Sequence, residues 1–448
     1  MKILTLHDIL IVQKRDLQRM QKELYVSRDT EITGAGSSLI KVIIGPRRAG
    51  KSFFTIHHLS HGKKFGYVNF DDERLAGLTD YDEILAAVDT VYDKPQALLL
   101  DEIQNLPQWE LFVNRIARQG TDLYITGSNS HLLSSELATH LTGRYLRTVI
   151  LPFSFAEYLH LSPHEMTSQE KASALYEYAQ SGGYPEPLMK NIPARAYLAT
   201  LFDSIVFKDI VQRFRIRSVQ GIGDLSQYLL SNTAAEYSYT SLARITGSKS
   251  SMTVQKYLGF LEEAFLFFSL PRFSFRVREQ VAANKKIYCT DTGFIAAKAF
   301  RVSENRGKLY ENLVAIELWK RQLAGKITVF YWKNVQQEEV DFVVREGSRV
   351  IALIQVCADL QDERTNAREV RAFLKASREL RCDNLIVLSE KEEKTSEITW
   401  FGMRGTIRYV PLWKWLERPE AGGQSSDAGG DSTAKKKTRK RPERSKTP

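Results

Sequence analysis

The 448-residue sequence predicts an α/β protein: a parallel-sheet core, a mostly helical middle, and a second α/β unit towards the C-terminus. Three observations carry that expectation. Between residues 39 and 155, five short apolar strands (SLIKVIIG, FGYVNFD, ALLLDE, DLYITGS and YLRTVILP) alternate with helical patterns, and strands separated by helices read as a parallel sheet. The glycine-rich stretch GPRRAGKS, Gly45–Ser52, lies directly between the first strand and a helical pattern. Residues 301–417 then read helix, strand, strand, strand, helix, strand.

In chain order, residues 1–38 open with a charged helical stretch and end in the turn-rich connector TGAGSS. Residues 39–155 form the expected core, 156–235 a helical lid, 236–300 three short helices with a two-stranded wing, and 301–417 the second α/β unit. From residue 418 onward large apolar residues are almost absent, so 418–448 is expected to be a disordered basic tail.

Composition narrows the class. Hydrophobic residues make up 43% and charged residues 26%, ordinary for a globular chain. The formal net charge is +10, yet Ala434–Pro448 alone carries eight Lys or Arg and one Glu. The folded body is therefore only mildly basic, and the tail is where a polyanion would be met. Cys289, Cys357 and Cys382 show no metal-binding spacing and suit a reducing compartment. The run AFLFFSL is too short to span a bilayer, and the N-terminus is too charged for a secretory signal. The expectation is a cytoplasmic protein with no membrane partner.

The chemistry starts at GPRRAGKS, which matches G-x-x-x-x-G-K-[ST] in its required strand–loop–helix context. Gly45, Pro46, Arg47, Arg48, Ala49 and Gly50 form a loop whose backbone amides cradle phosphates. Lys51 reaches the β- and γ-phosphates, Ser52 ligates Mg²⁺, and the next helix points its positive end at the anion. The implied cofactors are ATP and Mg²⁺.

ALLLDEIQN supplies the second half. Asp101 at the strand end is the candidate for the Mg²⁺ shell, and Glu102 for the general base that polarises the attacking water. Asn129, just past DLYITGS, is the candidate sensor of the γ-phosphate or attacking water, with Ser128 next; the alternative is that both cap a following helix. Arg144 is the candidate arginine finger, which would act on a neighbouring subunit of a homo-oligomer; the alternative is a surface ion pair.

GPRRAGKS, LLLDEIQN and TGSNSHLLSSELATHLTGRY together resemble a family of prokaryotic AAA-type ATP-binding proteins. The resemblance continues through PFSFAEYL, SGGYPEP, FDSIVFKDIVQRFRIR, KKIYCTDTGF, GKLYENLVAIEL and YWKNVQQEEVDFVV, over roughly residues 20–390. It implies a P-loop ATPase core, a winged-helix segment and a C-terminal domain of unknown function 4143 with a restriction-endonuclease-like fold.

Metal-dependent nucleases of that kind need carboxylates for Mg²⁺ and usually a Lys for the attacking hydroxide. Glu311 and Asp341 fit the carboxylate positions that the resemblance implies. The third and fourth positions hold Gln355, a weaker neutral ligand, and Cys357, which lacks a fixed positive charge. The expectation is a degenerate nuclease-shaped module used for binding; geometric substitution by Glu338 and Glu339 is an alternative that nothing in the sequence supports.

The winged-helix segment SLARITGSKSSMTVQKYLGFLEEA turns at Gly247. It offers only Lys249 and Lys256 before turning acidic, so docking is favoured over base reading. The leading functional reading is an ATP-driven switch with output through the last module. The alternatives are an ATP-gated nuclease and a non-hydrolysing nucleotide-bound scaffold. Nucleic acid, through the tail and the last module, and a protein are the partner classes expected.

Overall fold

The computed structural model describes residues 5–128, 141, 143–248, 250–299, 306–358 and 363–418. Asn129, Lys249 and the tail beyond residue 418 lie outside these residues.

All five expected core strands form: β1 (Ile40–Ile44), β2 (Phe65–Asn69), β3 (Ala97–Asp101), β4 (Asp122–Gly127) and β5 (Tyr145–Val149). They pair in parallel in the order β2-β3-β4-β1-β5. Strands β1 and β3 are buried along their whole length, as expected when helices cover both faces of a parallel sheet. Ile44 on β1 is level with Gly127 on β4, and Leu100 on β3 with Ile125. The loop after β1, the carboxylates ending β3 and the tip of β4 therefore share one edge of the sheet. Ligands of open parallel sheets gather at that edge.

The N-terminal helix Leu6–Met20 starts with a Thr5–Asp8 capping box and buries Ile9, Leu10, Gln13 and Leu17. Gln13 Nε2 donates to the Asn69 carbonyl at 3.0 Å, and its Oε1 accepts from the Asn69 N–H at 2.9 Å. The helix is thus fastened beside edge strand β2. Beyond the core, residues 155–231 are helical apart from short connections. They include an eight-residue π-helical segment, Ile205–Gln212, that continues the helix Ala194–Ser204.

The 236–300 region differs from expectation in its helices, four rather than three among the described residues (Tyr239–Ile245, Ser251–Glu263, Val277–Ala282 and Thr292–Lys298), and in its sheet. It has three antiparallel strands in the order β6-β8-β7: β6 (Ala235–Tyr237), β7 (Phe267–Pro271) and β8 (Lys285–Cys289). Strand β6, at three residues, is too short to show an alternating pattern in the sequence. The helices Tyr239–Ile245 and Ser251–Glu263 pack through Leu242, Val254, Leu258 and Leu261.

The last unit is a six-stranded mixed sheet, β13-β14-β12-β11-β10-β9. Its strands are β9 (Thr328–Lys333), β10 (Glu339–Glu346), β11 (Arg349–Val356), β12 (Leu385–Ser389), β13 (Lys394–Trp400) and β14 (Met403–Pro411). Strands β13 and β14 go beyond the expected pattern. KTSEITW is an edge strand with no buried residue, so burial left little apolar signal. Helix Arg306–Leu323 and the middle region pack against one face of the sheet, sharing a core with Phe342 and Ile354. Helix Glu363–Leu380 covers the other face through Ala372, Phe373 and Ala376.

Candidate nucleotide site

The loop after β1 has the backbone that phosphate binding requires. Gly45 has φ +150°, and a Cβ there would lie 1.9 Å from the Ile150 carbonyl oxygen. Gly50 (φ +91°) and Arg48 (φ +66°) take left-handed conformations as the loop turns into the helix Lys51–Ser60. Lys51 is buried, and its Nζ donates to the Pro46 carbonyl at 3.0 Å. Burial, partly offset by Glu102 and Asp101, lowers its pKa.

Ser52 Oγ donates to Asp101 Oδ1 at 2.8 Å, and Tyr67 OH to Asp101 Oδ2 at 3.1 Å. Thr126 Oγ1 also donates to Asp101 and accepts the Glu102 N–H at 3.1 Å. Burial and the neighbouring Glu102 charge push the Asp101 carboxyl up, against these hydrogen bonds. The convergence of the Ser52 hydroxyl and the Asp101 carboxylate fits a hard divalent cation held by oxygen ligands.

Glu102 sits in the left-handed region at φ +51°, a costly conformation for a side-chain-bearing residue that recurs at functional sites. Its Oε2 accepts from the Ser128 N–H at 3.2 Å and the Ser128 hydroxyl at 3.0 Å, and Gln104 Nε2 donates to the same oxygen. Lys51 Nζ is 3.9 Å from Oε1. Burial raises the Glu102 pKa, but Lys51 and the bonds from Gln104 and Ser128 outweigh it, so the carboxyl lies below its ordinary value. It is held ionised and aimed, as a general base must be. Ser128 thus orients Glu102 through both its N–H and its hydroxyl. Asn129 lies outside the described residues.

These groups line a cavity of about 590 Å³. Lys51, Ser52, Asp101, Glu102 and Ser128 form its polar end, while Leu24, Tyr25, Val26, Phe53 and Met189 supply apolar surface. The Tyr25 ring stacks on His57, with centroids 4.1 Å apart. A larger cleft of about 1300 Å³ lies between residues 29–33 and the end of helix Arg306–Leu323, and none of the phosphate-loop residues lines it.

Arg47 and Arg48 turn towards carboxylates of the helical region: Arg47 Nη1 is 3.3 Å from Asp209 and Arg48 Nη1 3.5 Å from Glu186. Arg144 is exposed at the start of β5, where Tyr145 pairs with Ile40, the first residue of β1. It lies at the opposite end of the sheet from the phosphate loop, roughly 15 Å away by strand rise. Any action on phosphate is therefore confined to a neighbouring copy.

Arg28 was not legible as a site residue. Its side chain is 4% exposed, and its Nε donates to Glu157 Oε1 at 3.0 Å and its Nη1 to the Ala49 carbonyl at 3.1 Å. A connector arginine thus braces the phosphate loop against the start of the helical region. No local motif signals this, because its partners are 21 and 129 positions away.

In the last unit, Glu311 and Asp341 do come together, around a residue that the sequence left unassigned. Lys286 Nζ on β8 lies 2.8 Å from Glu311, 2.6 Å from Glu339 and 3.1 Å from Asp341. Tyr288 OH donates to Glu311 at 2.7 Å. Burial works against the Lys286 charge, but Glu311, Tyr288, Asp341 and Glu339 outweigh it and hold the ammonium protonated. Gln355 bonds backbone at the edge of this cluster: its Oε1 accepts the Asp341 N–H at 3.2 Å. Cys357 packs in the apolar layer with Phe373 and Leu353. Glu338 pairs instead with Lys375 at 2.7 Å. Among the described residues no group of His, Cys, Asp and Glu is arranged to hold a metal ion, and no helix is long and apolar enough to cross a membrane.

Comparison with known proteins shows what the chain is similar to. A family described as an AAA domain matches residues 37–159. Two domains of unknown function, DUF8612 and DUF4143, match residues 172–305 and 306–413. The uncharacterized protein MJ1544 of Methanocaldococcus jannaschii is 34% identical over 420 residues, covering 89% of this chain and 93% of its own. An uncharacterized protein of Haemophilus influenzae is 29% identical over 342 residues, covering 73% and 84%. Among solved structures, the Walker-type ATPase PABY2304 of Pyrococcus abyssi aligns at 13% identity and TM-score 0.39, over 65% of this chain and 96% of that one. The replication initiator DnaA, bound to AMPPCP and single-stranded DNA, aligns at 14% identity and TM-score 0.27, over 56% and 88%.

Proposed function

The chain belongs to the family of AAA-domain ATP-binding proteins that end in the DUF4143 domain, and from that membership we propose that it is an ATP-hydrolysing switch. The observation that carries the reading is the convergence of Lys51, Ser52, Asp101 and Glu102 on one cavity. Lys51 and the loop amides bind the phosphate tail, and the apolar side of the cavity takes the base. Ser52 and Asp101 would hold Mg²⁺, which when bound withdraws charge from the phosphates. Glu102, ionised and oriented by Ser128 and Gln104, accepts the proton of the attacking water. Arg144 of a neighbouring copy would complete the charge stabilisation, so turnover by the isolated chain is slow.

The output runs through the nuclease-shaped last module, which binds rather than cuts. Lys286 supports that reading: an internal ammonium sits among the carboxylates that an active centre would need for metal. The winged-helix-like region docks the two ends of the molecule to one another, and the basic tail gives the module a polyanionic partner.

The test is steady-state ATP hydrolysis with and without duplex DNA, beside Glu102→Gln. DNA stimulation that disappears in the variant supports a nucleic-acid-coupled switch. Turnover that ignores DNA moves the partner to a protein. Tight ATP retention without turnover under any condition favours the scaffold reading, and Mg²⁺- or Mn²⁺-dependent cleavage lost in Asp341→Ala favours the gated nuclease.

A further inference from the structure

Both arginines of the phosphate loop meet a carboxylate from the helical region, but the two pairs differ. Arg48 is 60% exposed, and its partner Glu186 is already bonded by Tyr197 OH at 2.7 Å. Arg47 and Asp209 are more enclosed, at 31% and 19% side-chain exposure, with 3.3 Å between Nη1 and Oδ1. Asp209 belongs to the π-helical segment Ile205–Gln212. Wide helical turns are rare and recur at functional sites. Ile205, Ile210 and Val211 of this segment are buried in the core that also contains Phe342 and Ile354 of the last sheet. The segment therefore touches the phosphate loop on one side and packs against helix Ser251–Glu263 on the other, within the core that continues to the last sheet.

We propose that Asp209 is a positioning residue of the phosphate site: its carboxylate and the phosphates of a nucleoside triphosphate compete for the Arg47 guanidinium, which links triphosphate binding to the hold on segment 205–212. The inference rests on the nucleotide reading of the cavity. A guanidinium is a donor-only fork with five N–H groups, and Asp209 engages it through one nitrogen at a long distance. A phosphate accepts two parallel bonds from the same fork and carries more charge, so it is the stronger partner. Asp209 also shares its surroundings with Lys51 and Glu102, whose charges act on it or are acted on by it. An incoming phosphate tail is repelled by this carboxylate unless the guanidinium turns between them. By reciprocity, what the triphosphate gains from Arg47 is lost to the grip on segment 205–212.

The experiment titrates ATP, ADP and AMP, with Mg²⁺, into the full chain, Asp209→Asn, Arg47→Gln and the double variant. Asp209→Asn is expected to tighten ATP roughly fivefold or more, ADP less, and AMP not at all. In the Arg47→Gln background the same change has no effect, because Asp209 acts through Arg47. In hydrogen exchange, ATP loosens residues 205–212 of the parent chain and not of Arg47→Gln. An unchanged ATP affinity in Asp209→Asn overturns the proposal. So does equal tightening in both backgrounds, or an equal effect on ATP and AMP. Failure of the parent chain to bind ATP, with Lys51→Ala indistinguishable from it, overturns the nucleotide reading itself and this inference with it.

Discussion

Lys286 Nζ lies 2.8 Å from Glu311 Oε1, joining strand β8 of the middle sheet to helix Arg306–Leu323 of the last unit. Glu339 and Asp341 surround the same ammonium, and its side chain is 3% exposed. Removing one partner of a buried ion cluster leaves uncompensated charge. Lys286→Met should therefore cost about 3–5 kcal/mol in denaturant unfolding. Combining it with Glu311→Gln and Asp341→Asn should recover much of the loss. Equal stability of Lys286→Met and the parent chain would remove the cluster's structural role.

Lys51 and Glu102 divide the proposed chemistry between binding and turnover. Lys51→Ala should abolish ATP binding or hydrolysis. Glu102→Gln should retain ATP and lower turnover by roughly a hundredfold or more, the usual effect of losing a general base. Filter binding and phosphate release on the same samples separate the two steps. Hydrolysis unchanged in Lys51→Ala would sink the ATPase reading.

Gly45 is fixed by contact as well as by backbone angle. The Cβ of Gly45→Ala would meet the Ile150 oxygen at 1.9 Å, where the chain leaves β5 and the Ile150 N–H donates to the Ile44 carbonyl at 2.8 Å. The substitution should cost at least about 2 kcal/mol and weaken nucleotide binding together with stability. A melting temperature equal to that of the parent chain would show that the loop yields.

Asp291 gives the fold a pH dependence. It is buried, accepts the Gly183 N–H at 2.8 Å and the Gly293 N–H at 2.9 Å, and burial pushes its carboxyl up to about 7 despite these bonds. The folded pKa is above the unfolded value, so the folded chain binds the proton more tightly. Stability is then full below the unfolded pKa and declines as pH rises from about 4 to 7, by on the order of 4 kcal/mol from this group. Melting temperatures across that range should fall for the parent chain and fall less steeply for Asp291→Asn. Parallel slopes would exclude Asp291 as the source.

Arg28 ties Glu157 to the Ala49 carbonyl in the phosphate loop. Arg28→Ala should lower stability and raise the ATP dissociation constant, since it leaves a carboxylate with no exposed side-chain surface to the more distant Lys320, 3.8 Å away. Restored stability but not affinity in Arg28→Ala/Glu157→Gln would show that the contact with the loop carries the binding effect.

By itself, the sequence determined whatever depends on neighbours along the chain. GPRRAGKS specifies a turn, a run of amides and a helix start within eight positions, and ALLLDE a buried strand ending in acids. Period and local backbone chemistry suffice for both, and all five core strands followed from them. The tertiary structure alone decided which distant side chains meet. Lys286 is separated from Asp341 by 55 positions and Arg47 from Asp209 by 162, and no local pattern encodes either pairing. The edge strand β13 was hidden for a related reason: none of its residues is fully buried, so backbone pairing with β14 carries much of its order and leaves little trace in side-chain hydrophobicity. Burial raises the strength of a charge pairing and its cost together, and burial exists only once the elements have packed.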